Sequence, residues 1–197
     1  MKVFLGVLGA IVAVGLIGAL YYWSTYNGLV SRDENMKQKW AQVETDYQRR
    51  ADLIPNLVST VKGVANFEKD TLTAVVEARA KVGTVQVNSN TINDPAQFKK
   101  FEEAQGGLSS ALSRLMVVVE KYPDLKATAN FSELQSQLEG TENRIAVARR
   151  DFNLAVQEYN TSIRTAPTNI IASMTGFKER PYFEAVAGSE KAPEVKF

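Results

Sequence analysis

The chain has 197 residues, a formal net charge of +1, no cysteine and no histidine. A charge this close to zero provides no strong field for recruiting nucleic acid, so we expect no nucleic-acid partner. The missing residue types exclude disulfides, thiol nucleophiles, zinc–thiolate sites and histidine as a base or metal ligand. We therefore expect no cofactor, and hydrolytic chemistry is limited to carboxylate pairs, serine–lysine pairs or all-oxygen metal sites.

An uncharged apolar run occupies residues 3–23 and is followed by tyrosines and a tryptophan. A helix needs about 20 such residues to cross a bilayer, and aromatic clusters are typical of the membrane interface. A cleaved signal peptide is the alternative, but its apolar region is usually about 7–15 residues long. We interpret residues 1–25 as a transmembrane anchor whose partner is the lipid bilayer, contacted through residues 3–23.

Two features of the anchor bear on association and orientation. The spacings Gly6–Ala10 and Gly15–Ala19 favour close approach of two membrane helices, although such residues are also simply frequent there. Basic residues are more numerous after the anchor than before it. The positive-inside rule then favours a single-pass protein of the cell (inner) membrane with a cytoplasmic C-terminal domain, and leaves a periplasmic or extracellular one open.

The chain after the anchor has the apolar spacing of a long helix. Apolar residues recur at steps of three and four, with one charged exception, Arg50, which predicts a helix from Tyr26 to Val82 with a buried seam. Pro55 removes one backbone hydrogen bond and predicts a bend near Asp52, with two helices meeting at Pro55 as the alternative. The seam comprises Met36, Trp40, Val43, Tyr47, Arg50, Ile54, Leu57, Val61 and Val64.

Two further helices are predicted beyond a loop at residues 83–95. Asp94 and Pro95 begin the first of them, which runs to about Lys121, and a capping box at Asn130 and Glu133 begins the second, which ends at Ala166-Pro167. A short helix closed by Gly176 and a docked extended segment at 180–186 follow. The residues predicted to face inward are Phe98, Phe101, Leu108, Leu112, Leu115, Val119, Phe131, Leu134, Leu138, Thr141, Ile145, Ala148, Phe152, Ala155, Tyr159 and Ile163.

These elements predict an all-α fold: an N-terminal transmembrane helix, an elongated up-down-up helical bundle over 26–184, and a disordered tail over 185–197. Short connections would make the first and third helices parallel and place Arg50 level with Arg149. We therefore predict a polar layer inside the bundle that fixes helix register, and hold a ligand site as the alternative. Its members would be Arg50, Asp52, Glu142, Arg149 and Asp151.

Several blocks, taken together, resemble the LemA family of bacterial proteins. They are YNGLVSRDENMKQKWAQVETDYQRRADLIPNLVSTVKG at 26–63, EARA at 77–80, KYPDLKA at 121–127 and LQSQLEGTENRIAVARRDFNLAVQEYNTSIR at 134–164, then PTNIIA, GF and PYF in that order. The resemblance implies a helical single-pass membrane protein with its N-terminus outside, its helical domain in the cytoplasm and no established enzymatic activity. Phe67-Glu68 stands where such proteins commonly have His-Glu, which argues against a metal role there.

Three classes of function fit these observations. A membrane-anchored, non-enzymatic scaffold that binds proteins or copies of itself is favoured, with a homo-oligomer as the expected form. A carboxylate-dependent enzyme, using Glu102 with Glu103 or Glu139 with Glu142, is an alternative, although four-helix carboxylate sites normally add histidines. A lipid-surface module is the third, because basic residues follow the anchor, although acidic neighbours offset them.

Overall fold

The computed structural model describes residues 2–63, 67–85 and 90–184. This part of the chain contains α-helices and one 3₁₀ turn at Thr91–Asn93, without a strand, which confirms the all-α prediction. The predicted tail at 185–197 lies outside the described residues. The helices are α1 Lys2–Lys62, α2 Lys69–Thr84, α3 Pro95–Val119, α4 Pro123–Lys126, α5 Ala129–Arg164 and α6 Thr168–Thr175.

Helix α1 continues without interruption through Pro55. The alternative of two helices meeting at Pro55 is therefore wrong, while the bend near Asp52 stays a prediction. The predicted extension of the helix to Val82 is also wrong, because α1 ends at Lys62 and α2 begins only at Lys69. Gly63 forms a turn directly after α1, and glycine costs a helix about 1 kcal/mol relative to alanine.

By compactness the chain divides into two units. The first comprises Met1–Asp52 and Leu138–Arg180, and the second comprises Leu53–Gln137 and Pro181–Phe197. Each unit has its own apolar core, and the predicted inward-facing residues are buried in them, apart from the half-buried Leu134 and from Val64, which lies outside the described residues.

In the first unit α1 and α5 run antiparallel. The ring of Trp40 packs against that of Phe152 at 5.4 Å between centroids, and Arg50 contacts Glu142 at 2.7 Å, so residue numbers rise along α1 as they fall along α5. The predicted parallel arrangement is wrong. The missed break after Lys62 adds α2 between α1 and α3, so the prediction from three helices joined by short connections does not hold.

In the second unit α2 packs against α3, and the segment before α2 contacts the residues that follow α3. The ring of Phe67 lies 4.9 Å from that of Tyr122, and Lys121 Nζ lies 3.2 Å from Glu68 Oε1. These contacts explain why the chain turns here instead of extending α1. Phe183 is buried 4.8 Å from the ring of Phe98, as predicted for a docked extended segment.

Of the three capping signals predicted from the sequence, at Asp94, Asn130 and Gly176, the structure confirms the first and the last. Asp94 caps α3 by accepting hydrogen bonds from the backbone N–H groups of Ala96 and Gln97, and Gly176 ends α6 with a φ of 81°. The predicted capping box at Asn130 is wrong, because α5 begins at Ala129. The hydroxyl of Thr128 instead accepts a hydrogen bond of 3.3 Å from the backbone N–H of Phe131.

The N-terminal part of α1 is long and apolar enough to cross a membrane, and within the described residues it is the one segment that is. None of its most apolar stretch is buried by the protein. A helix that is apolar on all sides and uncovered is typical of a membrane span, because lipid rather than protein then surrounds it.

Candidate functional site

The first unit holds a buried arginine between α1 and α5. The side chain of Arg50 is 1% exposed, and its Nη1 donates a hydrogen bond of 2.7 Å to Glu142 Oε1. The guanidinium also lies 4.9 Å from the centre of the Tyr47 ring. Glu142 is 45% exposed, so the pair opens to solvent on the carboxylate side. A guanidinium stays charged at any ordinary pH, so Arg50 places a buried positive charge at one level of the interface between the two helices.

A second buried charge lies one helical turn from the first. Asp46 is buried and accepts a hydrogen bond of 3.0 Å from Gln42 Nε2, four residues earlier on α1. Arg144 of α5 approaches the same carboxylate at 4.0 Å and donates a hydrogen bond to Thr141. Opposite charges therefore face each other across the helices at consecutive turns.

The five residues of the predicted polar layer occupy more than one level. Asp52 is exposed and accepts a hydrogen bond of 2.8 Å from Gln48, on its own helix. Asp151 is half-buried and lies 3.9 Å from Lys39 Nζ. Arg149 is half-buried about 10 Å along α5 from Glu142, at 1.5 Å per residue. The predicted equal height of Arg50 and Arg149 is thus wrong because the helices are antiparallel, while the register-fixing role stays a prediction.

Glu44 is a half-buried carboxylate on α1. Burial raises its pKa above the ordinary 4.5, and the nearby indole N–H of Trp40 partly offsets this. Its Oε1 is buried without a hydrogen-bond partner. A raised pKa means that the folded protein binds the proton of Glu44 more tightly than the unfolded chain does. Protonated Glu44 therefore contributes stability below pH 4.5, and this contribution is lost as the pH rises through the folded-state pKa.

Replacing Glu44 with glutamine should therefore raise the melting temperature at pH 7, because glutamine keeps the shape and carries no charge. The gain should disappear as the pH falls below 4.5, where the native carboxyl is also neutral. Thermal unfolding of the full chain in mild detergent at both pH values measures this. Glu158→Gln, on an exposed position of α5, is the matched control. Equal melting temperatures for Glu44→Gln and wild type at pH 7 would contradict the assignment.

A second polar cluster, which the sequence did not reveal, joins the C-terminal segment to α1 and α5. Arg180 Nη2 lies 3.3 Å from Asp33 Oδ1, with both side chains largely buried. Asn160, which is 4% exposed, donates to the carbonyl of Arg180 and accepts from its backbone N–H, each at 2.9 Å. Tyr159 donates a hydrogen bond of 3.0 Å to the carbonyl of Lys178. We call Asp33, Tyr159, Asn160 and Arg180 the C-terminal clamp.

The charges in the clamp affect its neighbours. A hydrogen bond to Asp33 raises the pKa of Lys37, whose Nζ lies 2.8 Å from that carboxylate. Burial raises the pKa of Tyr159, and the positive charge of Arg180 partly offsets it. Asp33 is thus held between two cations, and Tyr159 is kept as a neutral hydrogen-bond donor.

Aromatic rings link the membrane end of α1 to the clamp. Tyr22 stacks on Tyr26 at 6.3 Å, Tyr26 meets Phe177 edge-on at 6.1 Å, and Phe177 meets Tyr159 edge-on at 6.3 Å. The C-terminal end of α5 and the segment after α6 therefore lie beside the part of α1 that directly follows the apolar run.

The match to known proteins covers most of the chain. The model of the LemA family matches residues 39–197. The chain belongs to the LemA family. It is 30% identical to magnetosome protein MamQ 1 of Paramagnetospirillum magneticum, over 91% of this chain and 73% of that protein. It is also 30% identical to MamQ of Magnetospirillum gryphiswaldense, over 80% and 64%, and 23% identical to protein LemA of Metamycoplasma hominis, over 86% and 74%.

Two of the carboxylates considered from sequence make contacts within the protein. Within the residues that the structure describes, groups of three or more carboxylates placed to hold a metal ion are absent. Glu102, one of the carboxylates considered from sequence, accepts a hydrogen bond of 3.3 Å from the backbone N–H of Glu184. Glu142 pairs with Arg50. These two groups therefore make structural contacts, and the names of the relatives described above denote no enzyme.

Proposed function

We propose that this LemA-family protein is a membrane-anchored, non-enzymatic helical scaffold that associates with copies of itself. Residues 1–25 are its anchor and residues 26–184 its LemA-like domain. The observation that carries the proposal is the continuity of α1, which runs unbroken from the apolar segment into the buried core of the first unit. A scaffold needs such a rigid connection, because a flexible linker would leave the domain free to reorient at the membrane.

The surface of the anchor supports self-association. A Cβ atom added at Gly6 or Gly15 would meet nothing within 4 Å, so these positions have room for a neighbouring helix. A second copy of the chain would cover this apolar surface of the anchor.

The proposed orientation places the helical domain in the cytoplasm. Arg32, Lys37 and Lys39 follow the anchor, against Lys2 before it. Basic residues near a membrane span favour the cytoplasmic side. Lys37 is paired with Asp33 and Lys39 lies 3.9 Å from Asp151, but acidic residues contribute little to the rule, so the preference stands.

Mutation of the anchor tests the proposal. Gly15→Ile should reduce the mass of the full-length particle in mild detergent, because isoleucine prevents close helix approach, while a Cβ atom at this position has open space around it. Gly9 and Gly18 also have open space around them. The masses of the Gly9→Ile and Gly18→Ile variants test whether assembly depends on one face of the anchor helix. An unchanged mass for all three variants would show that glycine contacts in the anchor do not mediate assembly.

A further inference from the structure

Helix α6 exposes apolar side chains that the protein does not cover. Ile170 and Met174 are 59% and 75% exposed, although Ile171 and Ala172 of the same helix are buried. Residues four apart lie on one face of a helix, so Ile170 and Met174 form a single apolar edge. We call this edge of Thr168–Thr175 the α6 edge.

The α6 edge lies at the membrane end of the first unit. Phe177, the second residue after α6, is tied to it by a hydrogen bond of 3.1 Å from its backbone N–H to the carbonyl of Ala172. The ring of Phe177 lies 6.1 Å from that of Tyr26. Tyr26 is three residues beyond Trp23, at the end of the apolar run, or about 4.5 Å along an α-helix. The headgroup region extends about 5–7 Å beyond the hydrocarbon core on each side, so Tyr26 lies within it.

The charges around α6 fit the same location. The chain from Thr165 to Phe177 carries no charged residue, and a basic residue stands at each end, Arg164 and Lys178. Both basic residues are exposed, and Arg164 Nε lies 3.6 Å from Oε1 of Glu179, the residue after Lys178. Long basic side chains at the ends of an apolar segment keep their charge among lipid headgroups while their stems cover apolar surface.

We infer that α6 is a second membrane contact, which lies in the interface of the bilayer and inserts Ile170 and Met174 between the headgroups. An interfacial helix normally needs a large apolar face to bind lipid by itself. Helix α6 does not, because the anchor already holds it beside the bilayer and so makes its insertion an intramolecular step. The clamp and the Tyr26–Phe177 contact then fix the distance between the domain and the membrane.

Single cysteines report the position of the α6 edge, because the native chain has none. Met174→Cys and, separately, Ile170→Cys would be labelled with an environment-sensitive fluorophore in the full-length protein, reconstituted in phosphatidylcholine–phosphatidylglycerol vesicles. Val147→Cys is the matched control, since Val147 is also an exposed apolar residue of the first unit. It lies on α5 between Arg144 and Asp151, level with residues 39–46 of α1 and so about 20–30 Å beyond Tyr26.

We expect blue-shifted emission at both α6 positions, quenching by lipids that carry a nitroxide near the headgroup, and protection from aqueous iodide. The label at position 147 should show none of these. Iodide-accessible emission at 170 and 174, equal to that at 147, would overturn the inference. So would a blue shift without quenching by nitroxide lipid, because a second copy or another protein would then cover the edge. The result does not depend on self-association, since a monomer would give the same signals.

Discussion

Replacing Asn160 with alanine should lower the free energy of unfolding by about 2–4 kcal/mol. The side chain makes two hydrogen bonds of 2.9 Å to the backbone of Arg180, one as donor and one as acceptor. Each buried polar group left without a partner costs about 1–3 kcal/mol. Because Asn160 is 4% exposed, water would not readily replace the lost bonds. Chemical unfolding of the full chain in mild detergent, followed by circular dichroism, measures the loss.

The control for this experiment is Asn143→Ala, an identical change at an exposed position of the same helix. It should change the free energy of unfolding by no more than about 0.5 kcal/mol, as is usual for a surface position. Both changes remove an asparagine from α5, so any gain in helix propensity is shared and cancels. If the two variants unfold alike, the C-terminal clamp contributes nothing to stability and does not hold the segment after α6 in place.

The second large effect is expected at the buried arginine. Glu142→Ala should destabilise the protein by about 1.5–3 kcal/mol, the usual worth of a hydrogen bond to a charged group, because it removes the carboxylate that faces Arg50. Arg50→Leu should cost less than about 1 kcal/mol or stabilise the fold, since it removes the desolvated charge together with its pair. The free energies of unfolding of the two variants give the comparison.

Asp52→Ala is the control for the carboxylate change, because Asp52 is exposed and contacts Gln48 on its own helix. It should leave stability within about 0.5 kcal/mol of wild type. If Asp52→Ala lowers the free energy of unfolding as much as Glu142→Ala does, Asp52 belongs to the polar layer that the sequence predicted. A large loss in Arg50→Leu with none in Glu142→Ala would show that Arg50 acts through its packing instead of this pair.

The sequence predicted those features that depend on local spacing. The spacing of apolar residues at steps of three and four identified the buried faces of α1, α3 and α5. Asp94 marked a helix start by its capping side chain, and Gly176 marked a helix end by its positive φ. The break after Lys62 was missed because the apolar rhythm continues to Val64, and the reason for the turn lies in contacts of Phe67 and Glu68 with residues more than fifty positions away.

The candidate site was less predictable for the same reason. Arg50 is visible in the sequence as a charge within an apolar seam, but its partner depends on the relative direction of α1 and α5. The clamp gave no signal of this kind, because Asp33 and Arg180 are separated by 147 positions and each looks like an ordinary surface charge. The one available hint was Asn160, which directly follows a predicted core position at Tyr159 and so borders the buried face of α5.

The most direct test of the scaffold proposal is the mass of the full-length protein in mild detergent beside that of residues 28–197. The anchor and the juxtamembrane part of α1 are proposed to drive assembly. We therefore predict a defined multimer for the full-length chain and a monomer for the shorter one. A monomer in both cases would contradict self-association through the anchor and would direct the search to a different protein partner.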